Sequence, residues 1–105
     1  MNNLILSAIN PFALYSEEMK RAVWAKTTPP GLLFNPAEYG FDANSKLIRF
    51  ADFGDTNSPY GWQFDHFPIS KANQGPDALW NLRPLNCHDN AANRHHTLID
   101  LLLAK

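Results

Sequence analysis

In the run YGWQFDHFPIS, residues 60–70, Gln63 and His66 interrupt what otherwise reads as a buried strand. Asp65 and His66 stand side by side between Phe64 and Phe67. A carboxylate and an imidazole are costly among aromatic side chains unless a partner satisfies them or a reaction needs them. An imidazole exchanges protons near neutral pH, so the pair is either a satisfied structural contact or the centre of an active site. Two more polar residues follow, Asn81 and Asn90, 15 and 24 positions after His66. Taken singly, Asp65-His66 suits a structural hydrogen-bonded pair, Asn81 a turn, and Asn90 a helix cap. Taken together, the four suit a site.

Two strands and a helix are needed to bring them together. WQFDHF (62–67) is a strand candidate that ends on Asp65-His66. KANQGPDALWN (71–81) begins with loop residues, and LRPLN (82–86) is a further strand candidate, broken at Pro84. From Asp89 onward DNAANRHHTLIDLLLAK reads as helix, with Ala91, Leu98 and Leu102 on one stripe. A hairpin with a long connection, followed by a helix, places Asp65, His66, Asn81 and Asn90 in one neighbourhood.

Upstream, Asn10–Pro11 reads as a helix start, with Phe12, Tyr15, Met19, Ala22 and Val23 making one apolar face of residues 11–25. Ser16-Glu17-Glu18 offers a competing, later start. KTTPPG (26–31) ends the helix, residues 31–45 read as ordered loop, and KLIRFADF (46–53) as a short strand. GDTNSPYG (54–61) is dense in turn formers. No repeat, low-complexity segment or linker divides the 105 residues, so a single domain, 1–105, is expected.

An apolar share of 45%, with three Trp, three Tyr and seven Phe, suffices for a modest core and argues against disorder. Nine basic and ten acidic residues leave a net charge of −1, so no global basic footprint for nucleic acid exists. Binding to such a partner must come from local clustering or from a second protein. One cysteine, Cys87, excludes an internal disulfide and any multi-cysteine zinc site. MNNLILSAIN lacks the basic start of a signal peptide, and LIDLLLA is far short of the ~20 residues of a membrane span. The expectation is a soluble, cytoplasmic protein with no membrane association.

The pattern YGWQFDHFPISKANQGPDALWNLRPLNCHDNAANR resembles the HNH endonucleases, whose core is a ββα-metal motif. The residues that carry the resemblance are Asp65-His66, Pro68, Gly75, Leu79-Trp80-Asn81-Leu82 and Asn90. The upstream stretch VWAKTTPPG…FDANSKLIRFADFGDT resembles a bacterial subgroup of the same family, so the likeness runs from about Val23 to Arg94. It implies an α+β fold: a small antiparallel sheet with a ββα-metal HNH core at about residues 60–100, an N-terminal helix and a C-terminal helix. It also implies a metal-dependent endonuclease that hydrolyses phosphodiester bonds in nucleic acid, DNA favoured over RNA.

Residue by residue, His66 matches the general base and Asn81 the Asn that pins the loop and positions the His. Asp65 and Asn90 match the first and last metal ligands. A carboxylate and an amide carbonyl are hard oxygen donors, which suit Mg²⁺ or Mn²⁺. Arg94 stands where some members carry a further helix His, and Asn73-Gln74-Gly75 holds one Gly where two are usual. Lys71, Arg83 and Arg94 are the candidates for contacts with the nucleic-acid backbone.

Blander readings compete. His88, His95 and His96 with Cys87 lack the spacing of a zinc site and read as solvated or partly packed histidines. Trp24, Trp62 and Trp80 read as core residues rather than base-stacking platforms, because a small domain needs its large apolar side chains inside. The rival function is a non-catalytic module that keeps the fold to bind nucleic acid or a protein partner.

Overall fold

Ser16 supplies the helix start. In the computed structural model, which describes residues 15–88, helix α1 spans Glu17–Trp24 and the Ser16 hydroxyl accepts from the Met19 amide at 3.1 Å. Glu17 and Glu18 lie in the first turn, where carboxylates complement the exposed amides. The later of the two expected starts is therefore the one that caps α1. The Asn10–Pro11 start, and the helix expected from Asp89 onward, lie outside the described residues. The chain is again helical at residues 87 and 88, the last two described.

Two two-stranded antiparallel sheets follow, rather than the single sheet expected from the sequence. The first pairs β1 (Tyr39–Phe41) with β2 (Leu47–Arg49), Gly40 facing Ile48. β1 falls in the stretch 31–45 read as loop. It has three residues with glycine at its centre, too little for an alternating pattern to be visible. Its hairpin is made by Asp42, whose Oδ1 accepts from the amides of Asn44 at 2.9 Å and Lys46 at 2.8 Å. The strand expected over 46–53 stops at Arg49, and Phe50–Asp52 turn into a single 3₁₀ turn.

The second sheet pairs β3 (Trp62–His66) with β4 (Leu82–Asn86). Asp65 faces Arg83 and His66 faces Leu82. Pro84 does not break β4, as the sequence had suggested, but lies opposite Phe64 within it. In a two-stranded sheet every strand is an edge, so one missing amide is tolerated where it points away from the partner.

Asp42 also joins the two sheets, since its Oδ2 accepts from the Asn86 amide at 2.8 Å. The Asn86 side-chain amide in turn donates to Pro59 O at 2.9 Å. The core between sheets and helix consists of Val23, Trp24, Ile48, Trp62, Phe64 and Leu82, with Tyr15, Met19, Phe50 and Phe53 packed against it. The Trp24 and Trp62 rings pack 5.1 Å apart, and their indole N–H groups donate to Pro36 O and Phe50 O. Both are core residues, as expected. Trp80 is not: it is 61% exposed. Among the described residues no helix is long and apolar enough to cross a membrane.

Candidate active site

Strand alternation decides where Asp65 and His66 point. Trp62 and Phe64 face the core, so Asp65 lies on the opposite face of β3 and His66 returns to the face of Phe64 at the strand end. His66 Nε2 lies 2.6 Å from Asp77 Oδ1. A carboxylate only accepts, so the Nε2–H donates and the neutral ring keeps its lone pair on Nδ1. The imidazole is 9% exposed and the Asp77 carboxylate 55%, which puts the dyad at the surface end of the strand. Sequence reading missed Asp77. The contact depends on the register of β3 with β4, which pairs His66 with Leu82 and leaves no trace in the sequence.

The loop that carries Asp77 is held by Asn81. This side chain is wholly buried. Its Oδ1 accepts from the Ile69 amide at 2.9 Å, and its Nδ2 donates to Ile69 O at 2.8 Å and Pro76 O at 3.1 Å. Its backbone carbonyl accepts from the Phe67 amide at 2.9 Å. Asn81 thus cross-links both ends of the loop, and its burial leaves it acting through that loop. Gly75 is part of the same arrangement: a Cβ there would sit 1.9 Å from Ile69 O and 2.7 Å from Asn81 Nδ2. The loop begins at the cis peptide Phe67–Pro68. Ser70 caps a 3₁₀ turn, Lys71–Asn73, and Gln74 then takes a left-handed conformation at φ 63°.

Asp65 is 6% exposed and receives the Arg83 Nε–H at 2.7 Å on Oδ2. The Arg83 guanidinium also lies over the Phe67 ring, 4.1 Å from its centre. The candidate metal ligand and a candidate phosphate contact are therefore bound to each other. Lys71 is exposed on its 3₁₀ turn. Asn90 and Arg94, the other expected ligand and contact, lie outside the described residues.

The described residues therefore hold one of the two expected donors for a divalent ion. Asp65 is a hard oxygen donor of the right kind, fixed by register in a strand. No group of three or more His, Cys, Asp or Glu among the described residues could hold a metal ion. His88 is exposed, its Nε2 3.4 Å from Ser58 O, while Cys87 is buried with its thiol pushed up to about 11, chiefly by burial and then by Asp55. That thiol is neither a nucleophile nor a ready metal ligand at neutral pH.

Lys26, at the end of α1, ties the helix to this site by donating to the backbone carbonyls of Leu79 and Leu82. Its burial lowers the ammonium pKa. Comparison of the chain with protein-family models, with curated proteins and with solved structures yields no match.

Proposed function

We propose that the protein is a metal-dependent phosphodiesterase acting on nucleic acid, DNA foremost, through an HNH-type ββα-metal site. The observation that carries this reading is the His66–Asp77 dyad at the end of β3, on a loop pinned by the buried Asn81. In that role Nδ1 of His66 takes a proton from the attacking water, and Asp77 keeps Nε2–H occupied and stabilises the imidazolium that forms. Asn81 fixes the distance between the two by fixing the loop. A divalent ion held by Asp65 and Asn90 would polarise the phosphate and stabilise the leaving oxygen.

A plasmid-cleavage assay with Mg²⁺, Mn²⁺ or EDTA tests the reading. Cleavage by the wild type that needs the ion and is lost in His66→Ala supports it. A folded, metal-loaded wild type that leaves the plasmid intact overturns it, and so does a His66→Ala variant that cleaves as fast as the wild type.

One observation favours the rival, a non-catalytic binding module. Arg83 already neutralises the carboxylate that the ion needs. Calorimetric titration with Mn²⁺ separates the two, since the module predicts nucleic-acid binding without metal binding.

A further inference from the structure

Trp80 is the one tryptophan among the three that the fold leaves in solvent, 61% exposed against 5% for Trp24 and 0% for Trp62. It lies on the 3₁₀ turn Leu79–Asn81, and the backbone on both sides of it is clamped. Lys26 holds the carbonyls of Leu79 and Leu82, the Asn81 side chain is locked into the loop, and the Asn81 amide donates to Ala78 O at 2.7 Å. The backbone that carries this large aromatic surface is thus held in place by the surrounding bonds. Phe67, the residue after His66, is 36% exposed and joined to the same turn through its amide on Asn81 O. The Arg83 guanidinium stacks over its ring.

Charge constrains what binds here. With a net charge of −1 the chain as a whole offers little phosphate neutralisation to a duplex or to a single strand, so what separates the two here is the exposed aromatic surface. Exposed aromatics beside a guanidinium are the means by which proteins hold unpaired bases, whose π-faces a duplex hides. Building on the phosphodiesterase reading above, we infer that Trp80 and Phe67 form a stacking platform for unpaired bases of DNA. The substrate class is then single-stranded or locally unpaired DNA, held with its backbone towards His66.

The test is fluorescence-anisotropy binding, in EDTA, of a labelled single-stranded DNA 12-mer and of the same sequence as duplex. The full chain is compared with Trp80→Ala and Trp80→Phe. The single strand should bind tighter than the duplex, Trp80→Ala should weaken it roughly 5- to 100-fold, and Trp80→Phe should restore much of the loss. Acrylamide quenching of the exposed indole should also fall when the single strand is bound, a change that a merely structural tryptophan would not show. An unchanged affinity in Trp80→Ala, a preference for duplex, or no DNA binding by the wild type overturns the inference. A Trp80→Ala variant that loses self-association and keeps its DNA affinity also overturns it, and assigns the patch to a second copy of the chain. Hydrolysis of a small phosphodiester without nucleobases, lost in His66→Ala, reports on the chemistry alone. The stacking platform can therefore fail while the phosphodiesterase stands.

Discussion

His66 Nε2 and Asp77 Oδ1 lie 2.6 Å apart, across a loop whose two ends are joined by the buried amide of Asn81. The carboxylate accepts the Nε2–H and so selects the tautomer with its lone pair on Nδ1. Asp77→Asn keeps the size and an acceptor but removes the charge. We expect kcat for DNA cleavage to fall roughly 10- to 100-fold with KM nearly unchanged. Asp77→Glu should recover part of the loss. A large rise in KM at constant kcat would instead make Asp77 a substrate contact.

Arg83 and Asp65 make a second pair, in which the guanidinium stabilises the carboxylate and opposes a cation. Arg83→Gln removes a positive charge next to the proposed ligand. Mn²⁺ should then bind several-fold tighter, because one unit charge at this range is worth on the order of 1 kcal/mol even when partly screened. The same variant should be less stable, by about 1–3 kcal/mol, because the largely buried carboxylate loses the charged hydrogen bond from Arg83. Calorimetric Mn²⁺ titration and urea denaturation read the two effects separately. Unchanged metal affinity would mean that Asp65 does not bind the ion.

How far the sequence reached can be judged at particular residues. β3 was legible because Trp62, Phe64 and the polar residues between them alternate, and α1 because Ser16-Glu17-Glu18 is a helix-start pattern. Asn81 was legible as a loop-holding residue from the resemblance, and its bonds to Ile69 and Pro76 fit that role. β1 was not legible, since it depends on Asp42 and on pairing with β2, neither of which leaves a periodic trace. Nor was the Asp65–Arg83 pair, which joins residues 18 positions apart and depends on the register of their two strands. Trp80 was misread as core because composition argues that a small domain buries its tryptophans. The clamped 3₁₀ turn overrides that tendency.

The loop between β3 and β4 makes opposite predictions for two adjacent residues. At Gly75 there is no room for a Cβ, which would meet Ile69 O at 1.9 Å. Gly75→Ala should therefore displace the loop from Asn81, cost about 2–3 kcal/mol, and abolish cleavage. At Gln74 the backbone is left-handed, φ 63° and ψ 32°, which costs a residue with a side chain about 1 kcal/mol relative to glycine. Gln74→Gly should be neutral or stabilising by up to about 1 kcal/mol, the greater flexibility of the unfolded chain offsetting part of the gain. Thermal melts of the two variants against wild type check both signs. A stable, active Gly75→Ala would show that the Asn81–Ile69 bonds are dispensable.

Cys87 gives a prediction that depends on pH. Burial first, and Asp55 second, raise its thiol from 9.0 to about 11 in the folded protein. The folded state therefore keeps its proton where the unfolded chain has lost it. The stability this contributes is fully present below pH 9 and is lost as pH rises through about 11. Tyr15, whose phenol is also raised by burial and by Asp77, acts in the same direction, so the cysteine's share must be isolated by subtraction. Urea denaturation from pH 8 to 11 should show wild type losing more stability over that range than Cys87→Ala. At pH 8 iodoacetamide should modify the folded thiol roughly 100-fold more slowly than the unfolded one, the ratio of their thiolate fractions. Equal rates in the two states would mean that Cys87 opens to solvent readily, and the pH-dependent difference from Cys87→Ala would then vanish as well.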